Sequence, residues 1–271
     1  MSDRSSHRAR VLRFGEEAGQ RVEDQLAAEE PLEIRIGGAP LTVVMRTPGH
    51  ERELALGFLF GEGIIRSPSD VAGVRILPNG EHPTLENVLD VELASTAPGV
   101  AQRWQRNFLS ASSCGLCGVS TIEAIHEAAP PIPDDGLRVD PEVIYGLDAR
   151  LRGEQAIFAR TGGLHAAGLF TLEGDPVVVR EDIGRHNAVD KVIGHALSRD
   201  LVPLSRHILM VSGRTSFEIV QKALQARIPV LAAVSAPSSL ARDLAQTSNQ
   251  TLIGFLRGRS LNVYSGRQRI S

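Results

Sequence analysis

Cys114 and Cys117 are the only thiols in a chain of 271 residues, and they sit in a stretch of small residues: Ser110, Ser112, Ser113, Gly115 and Gly118. Glycine at that density disfavours helix and predicts a flexible loop, here spanning residues 110–119. Ser120-Thr121-Ile122-Glu123 fits a capping box, so a short helix should open at Ser120 and stop at Pro130-Pro131. Both sulfurs then precede a helix N-terminus, where a thiolate, the nucleophilic form, is favoured. A sulfur carrier needs one cysteine to hold a terminal sulfur and another to expel it by attacking the persulfide. Spacing alone leaves other uses open: two buried inert cysteines, a redox pair, or half of a zinc site. The zinc reading lacks histidines at ligand spacing, and Gly115-Leu116 lacks the proline or aromatic residue usual in a thioredoxin-like pair. Two cysteines are too few for a disulfide framework, and residues 1–11 lack the apolar stretch of a secretory signal, so a reducing, cytoplasmic setting is expected.

A second set of candidates lies after residue 155 and suits an anionic ligand. An apolar run at 208–211 leads into Ser212-Gly213-Arg214-Thr215, and Thr215 to Glu218 has capping-box spacing. A glycine and an arginine at the start of a helix make a natural phosphate cradle; the plainer reading is an ordinary cap with Arg214 in a surface ion pair. Ser235-Ala236-Pro237-Ser238-Ser239 holds the equivalent place after the next strand, with less charge. Gly184-Arg185-His186-Asn187 precedes another helix, with Asn187 its expected N-cap. Arg185 could meet a phosphate, and His186 a base or a proton, against the alternative of a packing histidine. Lys191 stands out because the chain has 27 Arg but only Lys191 and Lys222 as lysines. Arg257 and Arg259 could neutralise a pyrophosphate or sit on a solvated hairpin tip. His165, after Thr161-Gly162-Gly163, is a further candidate contact.

The elements that must position these groups follow from periodicity. Residues 1–29 show no sustained apolar pattern and read as a mobile tail. Alternation at Leu32, Ile34 and Ile36, a Gly37-Gly38 turn, a strand at 41–46, a helix ending at Gly61, and strands at 71–77 and 88–93 make residues 30–109 a small α+β unit. Further on, strands are expected at 156–160, 167–172, 177–180, 208–211, 230–234, 252–256 and 261–264. Helices are expected from 187, at 217–226 and at 240–247. Such alternation predicts an α/β core over residues 120–271. Composition sets outer limits. A net charge of −3 argues against a nucleic-acid binder or a membrane-surface protein, and the longest apolar runs are too short to span a bilayer.

Ser112-Ser113-Cys114-Gly115-Leu116-Cys117-Gly118 resembles the cysteine loop of the formate dehydrogenase accessory sulfurtransferases, the FdhD family. Three more segments resemble the same family in the same order. They are Thr47-Pro48-Gly49 with Glu53-Leu54-Ala55 and Gly57 through Ile65; Glu181-Asp182-Ile183-Gly184-Arg185-His186-Asn187-Ala188 with Asp190-Lys191; and Ser212 through Ser216 with Glu218. The resemblance implies a carrier that accepts sulfur from a cysteine desulfurase and passes it to a molybdenum or tungsten bis-guanine-dinucleotide cofactor, Mo-bis(molybdopterin guanine dinucleotide), for formate dehydrogenase. It implies a homodimer with a cytidine-deaminase-like layered core over roughly residues 130–271, with Cys114 as the persulfide bearer and Cys117 as its helper. The family's cofactor-binding segment falls on Phe255, Leu256, Arg257, Gly258, Arg259 and Ser260. The zinc machinery of deaminases is missing: no His-x-Glu occurs, and Ser113 rather than proline precedes Cys114. No metal site is therefore expected.

Overall fold

The strands of the second half are apolar on both sides, so the sheet they form has to be covered on both faces. The computed structural model describes residues 4–15, 19–77, 87–94 and 131–271. In chain order its elements begin with β1 (Ser6–Arg13), β2 (Gln20–Ala27), β3 (Glu30–Ile36), β4 (Ala39–Arg46), α1 (Glu51–Gly61), β5 (Val71–Leu77) and β6 (Val88–Leu93). They continue with α2 (Pro141–Gly153), α3 (Ala156–Thr161), β7 (His165–Thr171), β8 (Pro176–Asp182), α4 (Arg185–Ser198), β9 (His207–Val211), α5 (Phe217–Gln225), β10 (Val230–Ala233), α6 (Ser239–Thr247), β11 (Thr251–Arg257) and β12 (Ser260–Ser265).

The main sheet runs β12-β11-β10-β9-β7-β8. β9, β10 and β11 are parallel, while β7, β8 and β12 are antiparallel to their neighbours. Successive side chains of a strand point to opposite faces, and the core divides accordingly. Leu209, Val211, Leu231 and Ala233 pack with α1, α4, α5 and α6, whereas Ile208, Met210, Val230 and Ala232 pack with α2. A smaller sheet, β4-β3-β6-β5, contributes Leu32, Ile34, Leu89 and Val91 to the first of these cores. α1 therefore lies between the small sheet and α4. Its approach to α4 is backbone to backbone: a methyl on Gly57 would overlap the Asp190 carbonyl, and one on Gly194 would overlap that of Glu53.

Several local expectations change. β1 and β2 pair antiparallel, Arg10 with Glu23 and Val11 with Val22, where a mobile tail was expected. Both strands are largely exposed, so no apolar alternation marks them. Residues 156–161 are helix rather than strand, because the Glu181 carboxylate accepts the N–H groups of Ile157 (2.9 Å) and Phe158 (2.7 Å) from across the fold. α4 opens one turn early, with Gly184 as N-cap, and Asn187 turns its amide to Asp182 and the Met45 carbonyl instead. Ser216, not Thr215, is the N-cap of α5, and Glu218 is drawn off to His186. The cysteine loop at 110–119 and the capping box at Ser120, with the rest of 95–130, lie outside the described residues.

Candidate functional site

The antiparallel pairing of β7 brings three chain ends to one edge of the main sheet. Ala167 faces Val211 and His165 faces Asp182, so the start of β7 meets the ends of β8 and β9. Ser212 fastens this corner: its N–H donates to the Ala166 carbonyl, and its Oγ accepts the Ala166 N–H, both at 2.9 Å. Gly213 follows in a gap no side chain would fit comfortably, since a Cβ there would lie 3.2 Å from His165 Nδ1 and 3.9 Å from Arg185 Cβ. Thr215 is pinned to the next loop: its N–H donates to the Ala236 carbonyl at 3.2 Å, and its carbonyl accepts the Ser238 N–H at 2.9 Å.

Residues 183–187 are shaped from beneath by Asp182, which is fully buried. One carboxylate oxygen accepts the Gly184 N–H and the Asn187 amide, each at 2.9 Å; the other meets Lys191 Nζ at 2.7 Å and the Thr47 N–H at 3.2 Å. Thr47 also accepts the Ile183 N–H on its hydroxyl at 3.2 Å. Lys191 completes its shell with the Thr47 and Glu181 carbonyls, at 2.9 and 3.3 Å. An ammonium has three donors, and all three are used inside the fold. Lys191 therefore holds the loop up rather than facing the open edge.

Above this frame, positive charge gathers with little to offset it. His165 lies below the usual histidine range because it is half-buried and because Arg185, Arg214 and His186 oppose its protonation. Arg214 is exposed, and Arg185 keeps a buried Nε without an acceptor among the described residues. The Thr215 hydroxyl is buried and unpartnered in the same sense. His186 Nε2 is 2.9 Å from both Ser216 Oγ and Glu218 Oε2, and that contact holds Glu218 below the ordinary carboxylate range. The N-termini of α4 and α5 add partial positive charge at the same place. Unsatisfied donors, a glycine passage and clustered cations suit an anion such as phosphate.

A cleft of about 390 Å³ opens beside this edge, lined by Arg152, Gln155, Phe158, Gly162, Gly163, Leu164, His165 and Ser212. Arg152 places its guanidinium 4.6 Å from the centre of the Phe158 ring. Sequence reasoning missed Arg152, Gln155, Phe158 and the organising role of Asp182. The only available signal for the last was its place in the run Glu181 to Asn187.

Of the residues singled out in the sequence, His165, Arg185, His186, Ser212, Gly213, Arg214 and Thr215 converge here. Phe255, Leu256, Arg257, Gly258, Arg259 and Ser260 lie further along the same edge, two strands away, at the end of β11 and the turn into β12. Phe255 is exposed at positive φ, with its N–H donating to the Ser235 carbonyl at 3.2 Å. Arg257 is exposed, Leu256 is buried, and Arg259 is engaged by Glu142 at 2.6 Å and stacks over Tyr145. Cys114 and Cys117 lie outside the described residues. Among those residues, no helix is long and apolar enough to cross a membrane.

Curated relatives match nearly the whole chain. The "Sulfur carrier protein FdhD" of Nocardia farcinica is 50% identical over 273 residues, covering 100% of this chain and 96% of that protein. The protein of the same name from Mycobacterium tuberculosis is 50% identical over 254 residues, 92% of each chain. That of Thermoplasma volcanium is 44% identical over 274 residues, covering 98% of this chain and 96% of its own. The fold is similar to the crystal structure of a protein described as a formate dehydrogenase accessory protein from Desulfotalea psychrophila. The TM-score is 0.77 at 23% identity, covering 98% of this chain and 99% of the other. The model of the FdhD/NarQ family matches residues 27–271, and the chain belongs to that family.

Proposed function

We propose that this protein is a sulfur carrier for formate dehydrogenase maturation. In this reading Cys114 takes a persulfide sulfur from a cysteine desulfurase and delivers it to a molybdenum or tungsten bis-guanine-dinucleotide cofactor bound as cargo. The observation that carries the cargo half is the convergence of Arg185, Arg214, His165 and the two helix N-termini around Gly213, with donors left unsatisfied. The names carried by relatives half identical over almost the full chain support the sulfur half. The doubly covered sheet with three parallel central strands supports a cytidine-deaminase-like core, and the family resemblance supports a homodimer.

The transfer balances as two thiol exchanges. The Cys114 thiolate attacks the terminal sulfur of the donor persulfide; the donor S–S bond breaks, and the donor leaves as a thiolate. The Cys117 thiolate then attacks Cys114 Sγ, the terminal sulfur departs as hydrosulfide to the metal, and a Cys114–Cys117 disulfide remains. A cellular dithiol supplies the two electrons that reopen it. Replacing Cys114 with Ala should abolish sulfuration of the cofactor and activation of the dehydrogenase while leaving cofactor binding intact. Weakened cofactor binding in that variant, with sulfuration unaffected by the donor, would favour a chaperone that holds the cofactor through its thiols. Turnover of generic disulfides without dependence on nucleotide would favour a thiol-disulfide oxidoreductase.

A further inference from the structure

We propose that the two-stranded ribbon β1–β2 is a positioning element of the cargo site. By bracing α3 from behind, it holds one wall of the cleft beside the anion edge, so loosening the ribbon weakens cargo binding but not binding of a bare anion. This rests on the reading above that the Gly213 edge holds the cargo; the cleft adjoins that edge at Ser212. α3 does not hold the wall alone. It has six residues, none of them buried, and a helix so short is unstable without tertiary support. Its N-terminus is fixed by the Glu181 carboxylate, which accepts the Ile157 and Phe158 N–H groups. Beyond that anchor, the element that packs most extensively on α3 is β2. Phe158 lines the ligand cleft with Gly162 and Gly163. Arg160, on the same helix, faces Arg8, Glu23, Asp24 and Gln25 of the ribbon across a second cleft of about 370 Å³. The glycine pair is braced as well: a Cβ on Gly163 would stand 3.6 Å from that of Ala27, an ordinary van der Waals contact.

The root of the ribbon is fixed in the body of the protein. The Ala28 N–H donates to the Ser5 carbonyl at 2.8 Å, and both residues are buried. Glu30 Oε2 takes Arg4 at 3.0 Å and Arg46 at 3.1 Å, and Arg46, fully buried, reaches Glu51 at 3.2 Å. Arg46 adjoins Thr47, whose N–H donates to Asp182 and whose hydroxyl accepts the Ile183 N–H under the anion loop. Brace and anion loop therefore hang from one strand end. Away from the root, β1 and β2 pair only with each other among the described residues, and a two-stranded sheet is marginally stable alone. The ribbon is thus the part of this support that loosens without opening either core.

Full-length protein carrying Val22→Pro with Glu23→Pro tests this. Neighbouring N–H groups of a strand point to opposite edges, so two adjacent prolines remove at least one ladder hydrogen bond. Amide exchange over residues 159–163 should quicken roughly tenfold. GDP affinity by titration calorimetry should fall about three- to tenfold, the loss expected from reordering side chains on a loosened wall. Inorganic pyrophosphate affinity should stay within about twofold, which also reports a folded core. Should the prolines prevent folding, Arg160→Glu turns a carboxylate toward Glu23 and Asp24 and should give the same split between the probes. Adding Glu23→Arg and Asp24→Arg to it should restore GDP affinity, a rescue that general destabilisation would not show. The inference is overturned if GDP affinity or the exchange of α3 is unmoved once the ribbon is broken, or if GDP and pyrophosphate affinities fall together. Wild-type protein that binds neither probe overturns the cargo reading itself, and this inference with it.

Discussion

Replacing Lys191 with Met should act on stability and leave anion binding to the folded protein largely alone. The ammonium sits 2.7 Å from an Asp182 carboxylate oxygen, with both side chains at 1% exposure or less. Removing it strands a buried carboxylate, for which about 3–5 kcal/mol is the usual cost. The loss falls toward the lower end, because Asp182 retains three N–H donors from Thr47, Gly184 and Asn187. Against a total stability of about 5–15 kcal/mol this is a large fraction. With a urea slope of roughly 2–3 kcal/mol/M, the midpoint should fall by about 1–2 M. The assay is equilibrium urea unfolding of wild type, Lys191→Met, Asp182→Asn and the double variant. The double variant should be more stable than the sum of the single losses implies, by about 1–3 kcal/mol, since both halves of one pair are gone. Additive losses, or a midpoint shift under about 0.3 M in Lys191→Met, would refute the buried-pair argument. Loss of pyrophosphate affinity at unchanged stability would instead place Lys191 in the binding site.

Three further outcomes follow from the geometry. Gly57→Ala should destabilise by about 3 kcal/mol or more, because its methyl would meet the Asp190 carbonyl and force α1 from α4; thermal unfolding reads this directly. His165 is held below the ordinary histidine value by burial and by neighbouring Arg185 and Arg214, so protonation is disfavoured in the free site, and an anion beside it should raise its affinity for a proton. Sulfate affinity should therefore rise as pH falls below about 6.5, by no more than tenfold per unit, and the rise should vanish in His165→Gln. The same lowered value means that folding stability contributed by neutral His165 is present above about 6.5 and is lost as pH falls toward the folded value, a slope the His165→Gln variant should lack.

Much of the layered core was legible because its strands are short apolar runs bounded by turn residues, as at 208–211 and 230–233. The placing of Ser212-Gly213-Arg214 at the sheet edge was legible for the same reason: the run follows a strand and precedes a helix, where open sheets present their loops. What escaped depended on distant partners. Helix α3 is secured by Glu181, more than twenty residues away in sequence, so its own six residues could not announce it. The pairing of β1 with β2 joins polar strands to each other and leaves no apolar stripe. Lys191 stood out by rarity, but rarity does not say which way a helical side chain faces; the Asp182 contact decided that. Gln155 belongs to no pattern, and only its burial beside an open cleft draws notice.

The central claim, that a thiol of this chain carries sulfur, is tested most directly by intact-mass measurement after incubation with a cysteine desulfurase and cysteine. Wild-type protein should gain the mass of one sulfur atom, reversibly by dithiol treatment, and the gain should be absent in Cys114→Ala. A wild-type chain that gains nothing beside a desulfurase shown to charge another acceptor, or a Cys114→Ala chain that gains as much as wild type, would contradict the account.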